Sequence, residues 1–259
     1  MNKKVGYAVA VIAILGGAAA FYFLSDRAAP PAPLKEVAIT PAETPSGPQY
    51  PVANASGATD EISKVPSLDE SDPTLREVLI KAMGAEQLEA LFNLDNFIRR
   101  WVVTIANCEE EQLSVDHFPF KPLAGVFLTR KENGHIFIDP KNEERYTPYL
   151  ALMNTFPAER IAKIYLRLYP LFQAAYGEIS NQDYFNDRLI HSIDYLLDTP
   201  DVKDPIEVTP QDKQFKYADD SLEELSASQK MLLRMGSKNS QAFKDMLRKF
   251  RADIVQPKK

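Results

Sequence analysis

Residues 5–24, VGYAVAVIAILGGAAAFYFL, run for twenty positions without a charge, and that single run limits what the chain can be. At about 1.5 Å rise per residue, a helix of this length covers the roughly 30 Å hydrocarbon core of a bilayer. The run therefore reads as a membrane-spanning helix. Lys3, Lys4 and the amino terminus precede it, while Asp26 and Arg27 follow. The positive-inside rule then puts residues 1–4 in the cytoplasm and everything after Leu24 on the far side. Phe21, Tyr22 and Phe23 fall where interfacial aromatic residues anchor such a helix. The competing reading is a cleavable signal peptide cut within GAAA. The apolar run continues through FYFL beyond that cut, which fits an uncleaved anchor better.

Prolines 30, 31, 33, 41, 45, 48, 51 and 66 crowd residues 25–67, and few large apolar side chains accompany them. A stretch of that composition cannot offset the entropy of ordering itself, so it reads as a disordered linker. Its roughly 40 residues reach about 35 Å as a coil and about 120 Å as extended polyproline.

Residues 68–259 read as one compact domain, mainly α with a minor β-hairpin. SDPTLREVLIKAM opens a helix, with Ser71 placed to cap and Pro73 in the first turn. In LFNLDNFIRRWVVTIAN, helical spacing puts Leu91, Leu94, Ile98, Trp101, Val102 and Ile105 on one apolar face. GVFLTRKENGHIFID has two β-prone runs around Asn133-Gly134, a pair suited to the positive φ angles of a tight hairpin. Helices return in TPYLALMNTF and in PAERIAKIYLRLYPLFQAAYGEI, where Pro170 predicts a bend or a break. Residues 206–217 read as a short extended segment, followed by two helices separated near Gly236.

The stretch YFNDRLIHSIDYLL, residues 184–197, carries the densest set of polar side chains with chemical potential. Ser180 and Asp183 have capping-box spacing, which predicts a helix starting near Asn181. Phe185, Leu189, Ile190, Ile193, Leu196 and Leu197 then face inward, and Asp183, Asp187, His191, Asp194 and Asp198 form an outward stripe. Asp187, His191 and Asp194 are within reach of one cation in principle, but a solvated face is the commoner meaning of such a stripe, and no metal site is expected. Asn186 falls on the inward face and must find a hydrogen-bond partner, most simply a loop backbone. Arg188 should pair with a carboxylate of a neighbouring element. Asn186, Asp187, Arg188 and His191 are the candidate ligand or partner contacts.

Other chemistry is sparse. The net charge of −6 excludes the basic footprint of non-specific nucleic-acid binding. Cys108, the single cysteine, permits no intrachain disulfide, and the acidic EEE after it should raise its pKa. His117, His135 and His191 show no metal-pair spacing, and phosphate-loop, dinucleotide and serine-elbow motifs are missing. No cofactor is expected.

LDESDPTLRE, NFIRRWVVTIAN, RYTPYLAL, YLRLYPLFQAAYGEI, YFNDRLIHSIDYLLDTP and LSASQKMLLRMGSKN, in this order, resemble the bacterial family catalogued as domain of unknown function 3014. The likeness runs from about Leu68 to Ile254. It implies a membrane-anchored envelope protein of Gram-negative bacteria and no activity, cofactor or catalytic residue. The expectation is a single-pass inner-membrane protein with a periplasmic domain that contacts an envelope protein or cell-wall component without catalysis. The alternatives are a tethered hydrolase with paired carboxylates, and a glycan-binding domain using Tyr165, Tyr169, Tyr176 and Tyr184.

Overall fold

The computed structural model describes residues 47–52, 65–155, 157–180, 183–212 and 214–255. The expected cytoplasmic residues 1–4, the anchor 5–24 and most of the linker lie outside them. Among the described residues no helix is long and apolar enough to cross a membrane.

A 3-10 turn, Leu68–Glu70, leads into α1 (Ser71–Met83). Ser71 is the first helical residue rather than its cap, and its hydroxyl donates to the Leu68 carbonyl at 2.7 Å. After α2 (Ala85–Leu91) the chain leaves the helical path before α3 (Phe97–Ala106), so the run expected from periodicity as one helix is divided. The divider is Asn96, left-handed at φ 55°. Asp72 of α1 accepts from the amides of Asn96 (2.6 Å) and Phe97 (3.0 Å), satisfying donors that a helix start leaves free. The six apolar residues of the predicted face are nevertheless all buried, with Trp101 only 1% exposed.

The hairpin expected at Asn133-Gly134 forms, pairing β1 (Thr129–Glu132) with β2 (His135–Ile138). Asn133 and Gly134 take φ 52° and 87°, the positive pair that matches a two-residue turn to strand twist. The segment expected as merely extended is a second hairpin, β3 (Val208–Gln211) with β4 (Gln214–Tyr217). Its turn uses Asp212 at φ 50°. The hairpins are joined where the Ile138 amide donates to the Ile206 carbonyl at 2.9 Å.

Helix α4 (Thr147–Thr155) precedes α5 (Ala158–Gly177), which packs against α3, α6 (Phe185–Leu197) and α9 (Ser237–Ile254). Helix α5 runs through Pro170 without a break. Tyr165 and Leu168 before the proline, and Leu171 and Phe172 after it, bury into the same core, and that packing offsets one missing hydrogen bond. Helix α6 begins four residues later than the capping-box spacing predicts. Ser180 does reach Asp183 at 3.2 Å, but the cap comes from α5: Gln173 Oε1 accepts from the Phe185 amide at 2.9 Å. Short helices α7 (Asp220–Glu223) and α8 (Ala227–Arg234) complete the described α-helices, beside 3-10 turns at Val115–His117 and Pro140–Tyr146. A second, smaller apolar cluster joins Ile138, Ile206, Val208, Tyr217, Leu222 and Leu233 beneath the hairpins. The architecture is mainly helical, with two antiparallel hairpins.

Within the stretch expected as linker, residues 47–52 lie packed on the domain. Val52 forms an antiparallel bridge with Val255, and Tyr50 packs against the main core.

Candidate functional site

The four candidate residues sit at the start and middle of α6, and each is engaged by another part of the chain. Asn186 is 1% exposed. Its Oδ1 accepts from the Tyr165 hydroxyl at 2.9 Å, and its Nδ2 donates to the Tyr50 carbonyl at 2.7 Å. Burial pushes the Tyr165 phenol well above its ordinary pKa, so it donates, and the Asn186 amide is thereby turned with its N–H towards Tyr50. Asp187 accepts from two successive amides, Gln49 at 2.8 Å and Tyr50 at 2.7 Å. The neighbouring pair Asn186-Asp187 thus holds both the N–H and the C=O of Tyr50.

The side chain of Tyr50 is held separately. The Arg251 guanidinium stands over its ring, 5.7 Å from the centroid, within cation–π range. Arg251 is itself fixed by Asp194 through bonds of 2.6 and 2.9 Å, a two-point geometry that sets the plane of the guanidinium. The α6 stripe expected to face solvent is therefore only partly outward: Asp187 is covered by the docked segment and Asp194 by Arg251.

Arg188 and His191 serve a different junction. Arg188 lies 2.8 Å from Glu109 and donates to the Ala106 carbonyl at 2.6 Å, while His191 Nε2 is 3.3 Å from the same Glu109 oxygen. Ser192 donates to the Ile105 carbonyl at 3.1 Å. Together Arg188 and Ser192 satisfy carbonyls left open at the end of α3 and clip α6 to it. No group of three or more His, Cys, Asp or Glu side chains among the described residues is arranged to hold a metal ion.

A cleft of about 300 Å³ opens elsewhere, lined by Pro200, Asp201, Val202, Leu232, Leu233, Ser237, Lys238, Ser240 and Gln241. Its carboxylate, Asp201, is bound by Lys244 at 2.7 Å, so it does not face a second acid across the opening. Tyr165 and Tyr176, expected under the glycan alternative as part of an aromatic surface, are buried in a cluster with Phe172 and Phe185. Cys108 is buried, and desolvation, more than its acidic neighbours, pushes its thiol pKa up.

A family model matches residues 97–251, a span that contains the whole of α6, the Glu109 junction and Arg251. The chain belongs to the family described as a protein of unknown function (DUF3014). No curated protein and no solved structure matches it. The family span includes the groove made by Asn186, Asp187 and Arg251 but not the segment 47–52 that fills it.

The sequence alone points to Asn186 and Asp187, and to Tyr165 only as a glycan-facing aromatic, but not to Tyr50, Arg251 or Asp194 as its partner. One signal was present: Tyr50 is the only aromatic residue between positions 25 and 67. A lone tyrosine in a proline-rich tract has little to do there unless it docks.

Proposed function

We propose that the chain is a single-pass inner-membrane protein of a Gram-negative envelope, anchored by residues 5–24, whose periplasmic domain is a non-catalytic interaction module. The observation that carries the reading is where the polar side chains of α6 are spent. Asn186 and Asp187 bind backbone, Arg188 and His191 meet Glu109, and none of the four converges on an open cleft. Such an arrangement suits holding chain segments together better than turning over a substrate. The uncharged run with lysines before it supports the orientation.

Crosslinking in living cells followed by purification of the full-length protein tests the reading. A reproducible partner that disappears when residues 68–259 are deleted is the expected result. Recovery of the protein alone would count against it. A periplasm-dependent reporter fused after Lys259 should be active, and an inactive fusion would overturn the orientation.

A further inference from the structure

The segment 48–52 is bound the way a peptide ligand is bound. Three of its polar contacts to the domain run through its own main chain, the amides of Gln49 and Tyr50 to Asp187 and the carbonyl of Tyr50 to Asn186, beside the side-chain contact of Tyr50 with Arg251. Such contacts give affinity without reading side chains, and an aromatic clamp then supplies selectivity. Here that clamp is Arg251 over Tyr50, with Val52 adding an antiparallel bridge to Val255. Pro48 and Pro51 flank the Gln49-Tyr50 bend and restrict its backbone, which lowers the entropy lost on docking. The receiving side is prearranged, because Tyr165 fixes the Asn186 amide and Asp194 fixes Arg251. Both supports come from helices of the domain itself rather than from the docked segment.

We propose that this groove between α6 and the end of α9 is a binding site for a bent, aromatic-bearing peptide segment of another protein, and that residues 48–52 mask it in cis. The proposal deepens the interaction-module reading and rests on it for the source of the peptide, an envelope protein. The chain's own PQYPV is the template for the ligand: an aromatic residue whose amide and carbonyl are both available, in a bend that turns two successive amides the same way. The masking segment belongs to the same chain as the groove, and intramolecular ligands reach effective concentrations on the order of millimolar. A segment arriving from outside competes against that concentration. Weak segments are excluded, and one succeeds when it is tighter or is itself held close by.

The test uses the full-length chain and a fluorescein-labelled peptide of residues 46–54, SGPQYPVAN. In one variant the mask is disabled by Gln49→Pro, which removes an amide that Asp187 binds, together with Tyr50→Ala, which removes the ring. Both changes lie outside the helices that form the groove. The probe should bind the unmasked chain saturably and about 10-fold more tightly than the wild-type chain, the factor expected from a cis competitor at roughly 1 mM that binds with a Kd of roughly 0.1 mM. Adding Asp187→Ala to the unmasked chain should abolish that binding, as should replacing the probe's tyrosine with alanine.

A second readout needs no variant: excess unlabelled probe added to the wild-type chain should speed hydrogen exchange at the Gln49 and Tyr50 amides. Equal binding to masked and unmasked chains, or binding indifferent to Asp187, would overturn the proposal. Probe binding is read without any cellular partner. Failure to recover a partner by crosslinking would therefore leave this result intact, and failure of the probe would leave the module reading intact.

Discussion

Lys244 shows how much of this molecule's chemistry is spent on its own stability. The residue is 1% exposed, on the inward side of α9, and its ammonium donates to the Thr199 carbonyl at 2.5 Å and to Asp201 at 2.7 Å. Removing the carboxylate leaves a buried ammonium with one acceptor, and an unsatisfied buried donor costs about 1–3 kcal/mol. Asp201→Ala should therefore lower the free energy of unfolding at neutral pH by that order, read as a lower urea midpoint, although Asp201 itself is largely exposed. The pH dependence follows from its titration. The hydrogen bond and charge of Lys244 hold the Asp201 carboxyl below its usual pKa. A depressed folded-state pKa gives stability that is complete above the unfolded carboxylate range, about 3.9, and is lost as pH falls through the folded value. The gap between wild type and Asp201→Ala should thus be constant from pH 7 to 5 and close below about pH 4. A gap that stays open at pH 2.5 would assign the loss to packing instead. At this scale the sequence was partly legible. The helical period put Asn186 inward and in need of a partner, and the structure supplies Tyr50 and Tyr165. Lys244 was not legible, because a lysine between Phe243 and Leu247 on an amphipathic helix reads as a boundary residue until its acceptors are known.

Elements were readable wherever their ends are specified locally and unreadable where another element specifies them. Asn133-Gly134 carries its own turn geometry, and the hairpin forms where the pair predicts it. The start of α6 does not: Gln173, a full helix away, supplies the cap that fixes it at Phe185, and Asp72 does the same for α3. Asp212 turns the second hairpin without the glycine that would have marked it. Gly236 lies between these cases, since its place after α8 is legible but its surroundings are not. It has φ 81°, and a Cβ there would lie 2.5–2.6 Å from the Glu143 side chain. Gly236→Ala should destabilise by two separable amounts: about 1–3 kcal/mol for a backbone at φ 81° and ψ 153° that in practice only glycine adopts, plus the cost of moving Glu143. The double variant with Glu143→Ala should recover the second part and keep the first. Thermal or urea unfolding of the four proteins in the cycle reads both. Full recovery in the double variant would mean that backbone strain is negligible at Gly236.

The whole molecule is built in tiers, and composition revealed only the largest of them. A domain of mixed apolar and charged residues was evident from position 68 onward. A proline-rich tract before it was evident too, but composition could not show that residues 47–52 return to α6, because their acceptors stand 137 and 138 positions away. The tiers have energetic consequences. The main cluster joins α1–α6, α8 and α9 around the long helix α5, with burial of each large side chain worth about 1.5–3 kcal/mol. The second cluster has six buried members and carries both hairpins, tied to the rest through Tyr217, whose hydroxyl donates to the Lys230 carbonyl at 2.7 Å, and through Leu233 on α8. The hairpins should therefore open below the free energy of global unfolding, since regions with few buried apolar contacts open locally. Native-state hydrogen exchange in low denaturant should show the β1–β4 amides exchanging through one shared opening, while the amides of Tyr165–Phe172 exchange only on global unfolding. Val208→Ala removes a fully buried side chain from the small cluster alone. It should lower protection across both hairpins by a common amount, leaving α5 unchanged until denaturant brings its own opening within range. Equal loss of protection in the hairpins and in α5 would mean that the two clusters unfold as one.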